Sequence, residues 1–186
     1  MNTTLERSLL TGFATETRPP HLTLAITAGK EKDRITELVA ELMANERLHL
    51  VAGGDWVPGY GLAHALRRKT FRVAQVLEQS SLARAFTSYQ LLDLLAEAAP
   101  DSSPLVVLDF LHNFYDADIP YPVRFRVLKQ CCRHLRMLSL HKPVAILVRQ
   151  AQLDDYGRFL PFLVEIADVL LAPETPVADA WQPGLF

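Results

Sequence analysis

Short apolar runs alternate with longer amphipathic stretches along this chain. This order is typical of parallel strands that are joined by helical crossovers. The apolar runs predict strands at 21–27, 48–52, 81–86, 105–109, 144–148 and 168–171. The stretches between them repeat apolar residues at the three- and four-residue steps of a helix that buries one stripe. They predict helices at 33–43, 62–78, 88–98, 123–140 and 157–166. We therefore expect an α/β fold with a mainly parallel central sheet and helices on both faces.

The length and composition of the chain predict a single folded domain. Its 186 residues, 49% of them hydrophobic, suffice for one core but not for two of ordinary size. We place the core domain at 1–172, with an N-terminal lead-in at 1–20 and a proline-containing C-terminal tail at 173–186. The tail is expected to lie on the surface, and its apolar residues are a candidate docking segment for a neighbouring subunit (Trp181, Leu185 and Phe186).

The charge balance and the N-terminus narrow the class of protein. The formal net charge is −2, so any nucleic-acid partner would have to be held by a local basic patch. The N-terminus lacks the cationic start and apolar stretch of a signal peptide, and no apolar run reaches the ~18 residues of a membrane span. Cys131 and Cys132 are neighbours and are expected to be reduced core thiols. These features predict a cytoplasmic protein with no membrane partner.

A motif in the middle of the chain resembles a known protein family. Residues 82–95 read LARAFTSYQLLDLL and resemble the "VARAF" strand and following helix of the RecA/RadA recombinases, including the eukaryotic recombinase paralogues. Other segments resemble further motifs of this family in the same order, at 8–12, 29–30, 48–54, 76–79, 109 and 150. The resemblance covers nearly the whole chain and implies a three-layer RecA-like P-loop NTPase fold.

The phosphate-binding loop departs from the family pattern. A working loop needs G-x-x-x-x-G-K-[S/T], because its backbone N–H groups wrap the phosphates, its lysine neutralises them and its hydroxyl holds magnesium. Here Leu24 occupies the position of the first glycine, the loop between the strand and Lys30 is short, and Glu31 occupies the hydroxyl position. A carboxylate there would repel the phosphates by about 1–4 kcal/mol at a separation of about 4 Å. We therefore predict a degenerate Walker A motif.

The resemblance implies a set of candidate nucleotide-binding residues, with ATP and Mg²⁺ as the cofactors if the site is used: Gly29, Lys30, Asp55, Asp109 and Gln150. Each has an ordinary structural explanation as well. Lys30 belongs to a solvated basic turn, Asp109 can cap the turn after its strand, and Gln150 can have a structural role. No catalytic residue is assigned. The histidines show no metal-ligand spacing and no Ser/His/Asp arrangement is legible, so we predict neither a metal site nor a hydrolase triad.

A predicted helix carries a basic face of four residues that follow three- and four-residue steps: Arg126, Lys129, Arg133 and Arg136. This basic face can track a phosphate backbone or an acidic partner subunit, or it can be an ordinary solvated surface. A second basic cluster, Arg67, Arg68, Lys69 and Arg72, leaves the same alternatives open. The segments at 112–122 and 151–157, where the family grips single-stranded DNA, are short and acidic, so filament formation on DNA is not expected.

Together these features predict a degenerate RecA-like protein, a pseudo-ATPase that acts as an accessory or scaffold protein in DNA recombination or repair. Its partners would be another protein, a second copy of the chain, or DNA. The alternatives are a divergent ATPase and a nucleotide-binding sensor that does not hydrolyse ATP. The recombination and repair context depends on the resemblance alone, since a fold does not determine a function.

Overall fold

The apolar runs form one sheet in the computed structural model, which describes residues 21–27, 32–54, 59–98, 101–116, 118–149 and 158–172. The strands are β1 (Leu22–Thr27), β2 (His49–Gly53), β3 (Ser81–Ala85), β4 (Leu105–Leu108), β5 (Val144–Arg149) and β6 (Val169–Leu171). Each lies within one residue of its predicted bounds at both ends. The sheet order is β3-β2-β4-β5-β1-β6 and every pairing is parallel. The predicted α/β class and parallel sheet are confirmed.

Helices cover both faces of the sheet. They are α1 (Lys32–Asn45), α2 (Gly59–Lys69), α3 (Val73–Gln79), α4 (Ser88–Ala96), α5 (Tyr121–Leu138) and α6 (Leu160–Ile166). Neighbouring residues of a strand enter opposite cores, as the two-residue period of a strand requires. Leu24 packs with α4, α5 and α6, whereas Ala25 packs with α1 and α2. Burial on both faces explains why β4 and the first five residues of β5 are continuous apolar runs rather than alternating ones.

Two local elements differ from the sequence prediction. The helix predicted at 62–78 is interrupted between α2 and α3, where the Thr70 hydroxyl accepts a hydrogen bond from the Arg72 N–H at 3.1 Å. A 3-10 helix, Phe110–Phe114, follows β4 directly where the sequence predicts the start of a loop. Phe110 and Phe114 are fully buried, so apolar anchoring holds this short helix against the sheet.

The crossovers create a crevice at the carboxyl edge of the sheet. The helices after β1 and β2 pack on one face, while the helices after β4 and β5 pack on the other. Parallel α/β sheets bind ligands outside the strand ends at such a switch in direction. The candidate site is therefore sought at the ends of β1, β2, β4 and β5.

Candidate functional site

Asp109 lies at the carboxyl end of β4, in the position where the resemblance implies a metal-binding carboxylate. It has φ 52° and ψ 37°, and it is the one non-glycine residue with positive φ in the described part of the chain. Asp109 as a whole residue is 3% exposed to solvent. A left-handed backbone costs an L-residue roughly 1–2 kcal/mol, although aspartate tolerates it better than most. The surrounding structure therefore holds this carboxylate in one place.

Arg149, the last residue of β5, forms an ion pair with Asp109. Its Nε donates to Asp109 Oδ1 at 2.6 Å, and the two side chains are 25% and 2% exposed. A guanidinium is charged at any ordinary pH, and hydrogen bonds between ionised groups are the strong ones. The negative charge of Asp109 is thus balanced inside the protein by a neighbouring strand. The sequence does not predict this pair, because it joins positions 40 residues apart.

The glycines at the end of β2 have a packing explanation. A Cβ on Gly53 would clash with the Asn113 side chain and would lie 2.7 Å from the Asp109 carbonyl oxygen. Gly54 has φ 74°, and a Cβ there would lie 2.5 Å from the His112 ring. The segment after β4 therefore packs so closely on the end of β2 that side chains are excluded there.

Two hydrogen bonds join the other strand ends at this edge. Asn113 Nδ2 donates to the Ala85 carbonyl oxygen at 2.9 Å, and Arg84 Nε donates to the Gly54 carbonyl oxygen at 2.9 Å. The Arg84 guanidinium also lies 4.4 Å from the centre of the Phe86 ring. The carboxyl ends of β2 and β3 are thus linked to each other and to the 3-10 helix.

A cavity of about 380 Å³ opens beside the 3-10 helix and the start of α4. Its wall includes the rings of Phe86 and Tyr115, the His112 side chain and the hydroxyl residues Thr87 and Ser88. Ser88 Oγ is buried and has no hydrogen-bond partner among the described residues. The walls of this half-open depression thus combine aromatic and polar groups.

Four of the predicted nucleotide-site residues lie outside the described residues: Gly29, Lys30, Asp55 and Gln150. The structure therefore reports on Asp109 alone among the five. The sequence left open whether Asp109 caps the next turn. Its side chain makes no capping hydrogen bond to the 3-10 helix, and its Oδ1 accepts from Arg149 instead. The lead-in at 1–20, the segment at 151–157 and the tail at 173–186 also lie outside the described residues.

The basic face lies on α5, and its four side chains are exposed opposite the buried residues Val127, Leu128, Cys131 and Leu135. Two of the four are already engaged. Arg136 NH1 contacts both carboxylate oxygens of Asp168, at 2.8 and 2.7 Å, and Lys129 Nζ lies 4.4 Å from the centre of the Phe125 ring. The backbone N–H of Leu22, together with Arg136, lowers the pKa of Asp168. Arg126 and Arg133 have no acidic partner in the part of the chain that the structure describes.

The second basic cluster is half neutralised. Arg68 pairs with Glu37 of α1, and Lys69 Nζ lies 3.2 Å from Glu41 Oε2. These pairs tie α2 to α1. The exposed members Arg67 and Arg72 remain available to a partner.

A polar cluster at the opposite, amino edge of the sheet is not predicted by the sequence. His49 begins β2 and contacts Ser81 of β3 through one ring nitrogen and Asp101 through the other. Lys142, which is 1% exposed, also contacts Asp101, with Nζ 3.2 Å from Oδ1. The sequence predicts no hydrolase triad, and no motif marks these three residues, which lie far apart along the chain. The one available signal is that a polar residue begins each of two strands, His49 in β2 and Ser81 in β3.

The chain was compared with known proteins, and no family model and no curated protein matches it. Within the described residues, no group of three or more histidine, cysteine, aspartate or glutamate side chains is placed to hold a metal ion. No described helix combines the length and apolar character needed to cross a membrane. The geometry of the two edges of the sheet is thus the basis for any functional proposal.

Proposed function

We propose that the protein is a RecA-like pseudo-ATPase that serves as an accessory or scaffold protein in DNA recombination or repair. The single observation that carries the proposal is the ion pair between Asp109 and Arg149. The all-parallel order β3-β2-β4-β5-β1-β6 is consistent with a RecA-like layout. The degenerate phosphate loop of the sequence, with Glu31 at the hydroxyl position, supports the same proposal.

The ion pair argues against magnesium-dependent catalysis at Asp109. Magnesium in nucleotide sites is held through one or two carboxylates together with the phosphates. A magnesium ion at Asp109 would lie next to the Arg149 guanidinium, whose Nε is 2.6 Å from Asp109 Oδ1, and the two positive charges would repel each other. In the family that the chain resembles, an asparagine precedes the glutamine of the nucleotide sensor, whereas Arg149 precedes Gln150 here. The guanidinium of Arg149 thus already supplies a positive charge to Asp109.

Calorimetric titration with ATP and magnesium tests the proposal. The wild-type protein is expected to give no saturable heat at millimolar nucleotide. Arg149→Asn separates the pair and restores the family's residue, and Arg126→Asn on α5 is the matched control for the loss of an arginine. Saturable binding with ATP turnover that Lys30→Ala and Asp109→Ala both abolish would contradict the proposal and favour the divergent ATPase.

A sensor that binds a nucleotide without hydrolysis is the second candidate function. The cavity of about 380 Å³ at the carboxyl edge favours it, since Ser88 is among its lining residues and the buried Ser88 Oγ has no partner among the described residues. Saturable binding of ATP without turnover would support the sensor. Loss of that binding in Ser88→Ala but not in Ser102→Ala, an exposed serine elsewhere, would assign it to this cavity.

DNA binding by the basic face is a separate part of the proposal. Arg126 and Arg133 are its two exposed arginines without an acidic partner among the described residues. If they contact phosphates, Arg126→Glu/Arg133→Glu should reduce the salt dependence of binding by about two released counterions. Arg67→Glu/Arg72→Glu tests the second basic cluster, the alternative DNA surface, by the same change at two exposed arginines. Unchanged binding and salt dependence in the α5 variant would exclude this face as the DNA surface.

A further inference from the structure

The polar cluster at the amino edge of the sheet brings a serine, a histidine and an aspartate into one hydrogen-bonded line. Ser81 Oγ lies 2.6 Å from His49 Nδ1. His49 Nε2 lies 3.0 and 3.1 Å from the two oxygens of Asp101. His49 and Ser81 are direct partners in the parallel register of β2 and β3, so backbone pairing positions the first contact.

The direction of these hydrogen bonds follows from the chemistry of the groups. An ionised carboxylate can only accept a hydrogen bond, so Nε2 of His49 carries the hydrogen and donates to Asp101. In the neutral imidazole, Nδ1 then has a free electron pair, and the Ser81 hydroxyl donates to it. This is the arrangement in which a histidine can take the proton of a serine as the serine attacks an electrophile.

Asp101 is kept ionised by its surroundings. Burial alone would raise the pKa of Asp101, but hydrogen bonds from His49 and Lys142 outweigh it and hold the pKa at about 2. Arg47 NH1 lies 3.8 Å from Asp101 Oδ2 and adds a second positive charge. The carboxylate can therefore hold the imidazole in one tautomer and stabilise it when it becomes positively charged.

The exposure of the three side chains suits a reactive serine. Ser81 is exposed at the start of the edge strand β3, whereas the His49 side chain is 13% exposed. A substrate can reach the hydroxyl while the base stays largely shielded from water. We propose that Ser81 is a nucleophile with His49 as its general base and Asp101 as the positioning residue, and that this site cleaves small activated carboxylic esters.

The proposed reaction has two balanced steps. Ser81 Oγ forms a bond to the carbonyl carbon of the ester as the bond from that carbon to the alcohol oxygen breaks. The serine proton passes through His49 Nδ1 to the departing alcohol oxygen. Water then attacks the resulting acyl-serine, gives one proton to His49 Nδ1, and releases the carboxylic acid as Ser81 recovers its proton. No electron transfer and no further co-reactant is needed.

The cluster includes its own control residue. Ser80 precedes Ser81, and its Oγ accepts a hydrogen bond from the Leu48 N–H at 3.3 Å. This hydroxyl has a structural role in the same turn, whereas the hydroxyl of Ser81 contacts the imidazole. Ser80→Ala should therefore change local packing without changing the reactivity of Ser81.

A fluorophosphonate probe on the full chain tests the proposal, because it forms a stable bond only with activated serines. Peptide mapping by mass spectrometry is expected to find the adduct on Ser81 of the wild-type protein. Labelling should be lost in Ser81→Ala, fall at least tenfold in rate in His49→Gln, and persist in Ser80→Ala. p-Nitrophenyl acetate should be hydrolysed with the same dependence on these variants.

Two results would overturn the proposal. One is an unlabelled Ser81 in the folded wild-type protein. Peptide mapping alone decides this result, so it does not depend on whether any variant folds. The other is labelling of Ser81 at the wild-type rate in a folded His49→Gln variant, verified by circular dichroism, since an exposed serine that needs no base is not an activated nucleophile.

Discussion

Asp101 joins the start of β2 to the segment just before β5 at the amino edge of the sheet, and replacing it by asparagine is the most informative test of how this edge is held together. Its carboxylate contacts His49 at the start of β2 and Lys142 just before β5. Asp101→Asn keeps the shape of the side chain and removes its charge. The variant thus probes the charge of the cluster with little change in packing.

The expected magnitude follows from the pKa of Asp101, which is lowered from 3.8 to about 2. One pKa unit corresponds to about 1.4 kcal/mol. The side chain is 31% exposed, and solvent screening reduces the full value to about 1–2 kcal/mol at pH 7. Because the pKa is lower in the folded state, this stabilisation is present above pH 3.8 and is lost as the pH falls toward 2.

Urea unfolding followed by circular dichroism at pH 7, 5 and 3 measures this effect. At pH 7 the free energy of unfolding of Asp101→Asn should lie about 1–2 kcal/mol below that of the wild type, and the gap should narrow at pH 3. Asp93→Asn, at an exposed position on α4, is the control for the loss of one carboxylate. A gap that is absent at pH 7, or that stays constant down to pH 3, would refute the reasoning.

Three further outcomes are expected. Gly54→Ala should lower the free energy of unfolding by about 1–3 kcal/mol, because φ is 74° and the His112 ring blocks a Cβ. Gly59→Ala is the control, since a Cβ there meets nothing within 4 Å. Equal urea midpoints of the two variants would contradict the expectation. Burial raises the pKa of the Cys132 thiol to about 12 and also raises the pKa of Cys131. Both thiols should therefore react with a thiol reagent only as the protein unfolds. Rapid reaction of the native protein would argue against their burial. Arg136→Ala should cost up to about 1 kcal/mol in thermal denaturation, since Arg136 pairs with Asp168, and an unchanged melting temperature would show that the pair adds no stability.

Local sequence patterns predict the elements of this fold well. A strand that is buried on both faces must be a short apolar run, as β4 and all but the last residue of β5 are. Likewise, the steps between Arg126, Lys129 and Arg133 determine that they share one exposed side of α5. The adjacency of Cys131 and Cys132 predicts reduced core thiols, and their burial as free thiols is confirmed.

Contacts between distant segments could not be predicted in this way. Arg149 meets Asp109 because β5 lies next to β4, and Ser81 meets His49 because β3 lies next to β2 in register. The Gly53–Gly54 pair has the composition of a flexible loop. The structure instead explains why glycine is needed there: Asn113 and His112 approach too closely for a Cβ.

The sequence by itself determined which segments become strands and helices and which side of each is apolar, because these properties depend on residues within a few positions of one another. The tertiary structure decided which strand ends are neighbours, and so which charges meet. That choice depends on the handedness and length of the crossovers and on the packing of both cores. The pairing of Asp109 with Arg149 and the line from Ser81 to Asp101 both follow from the strand order, which no local pattern encodes.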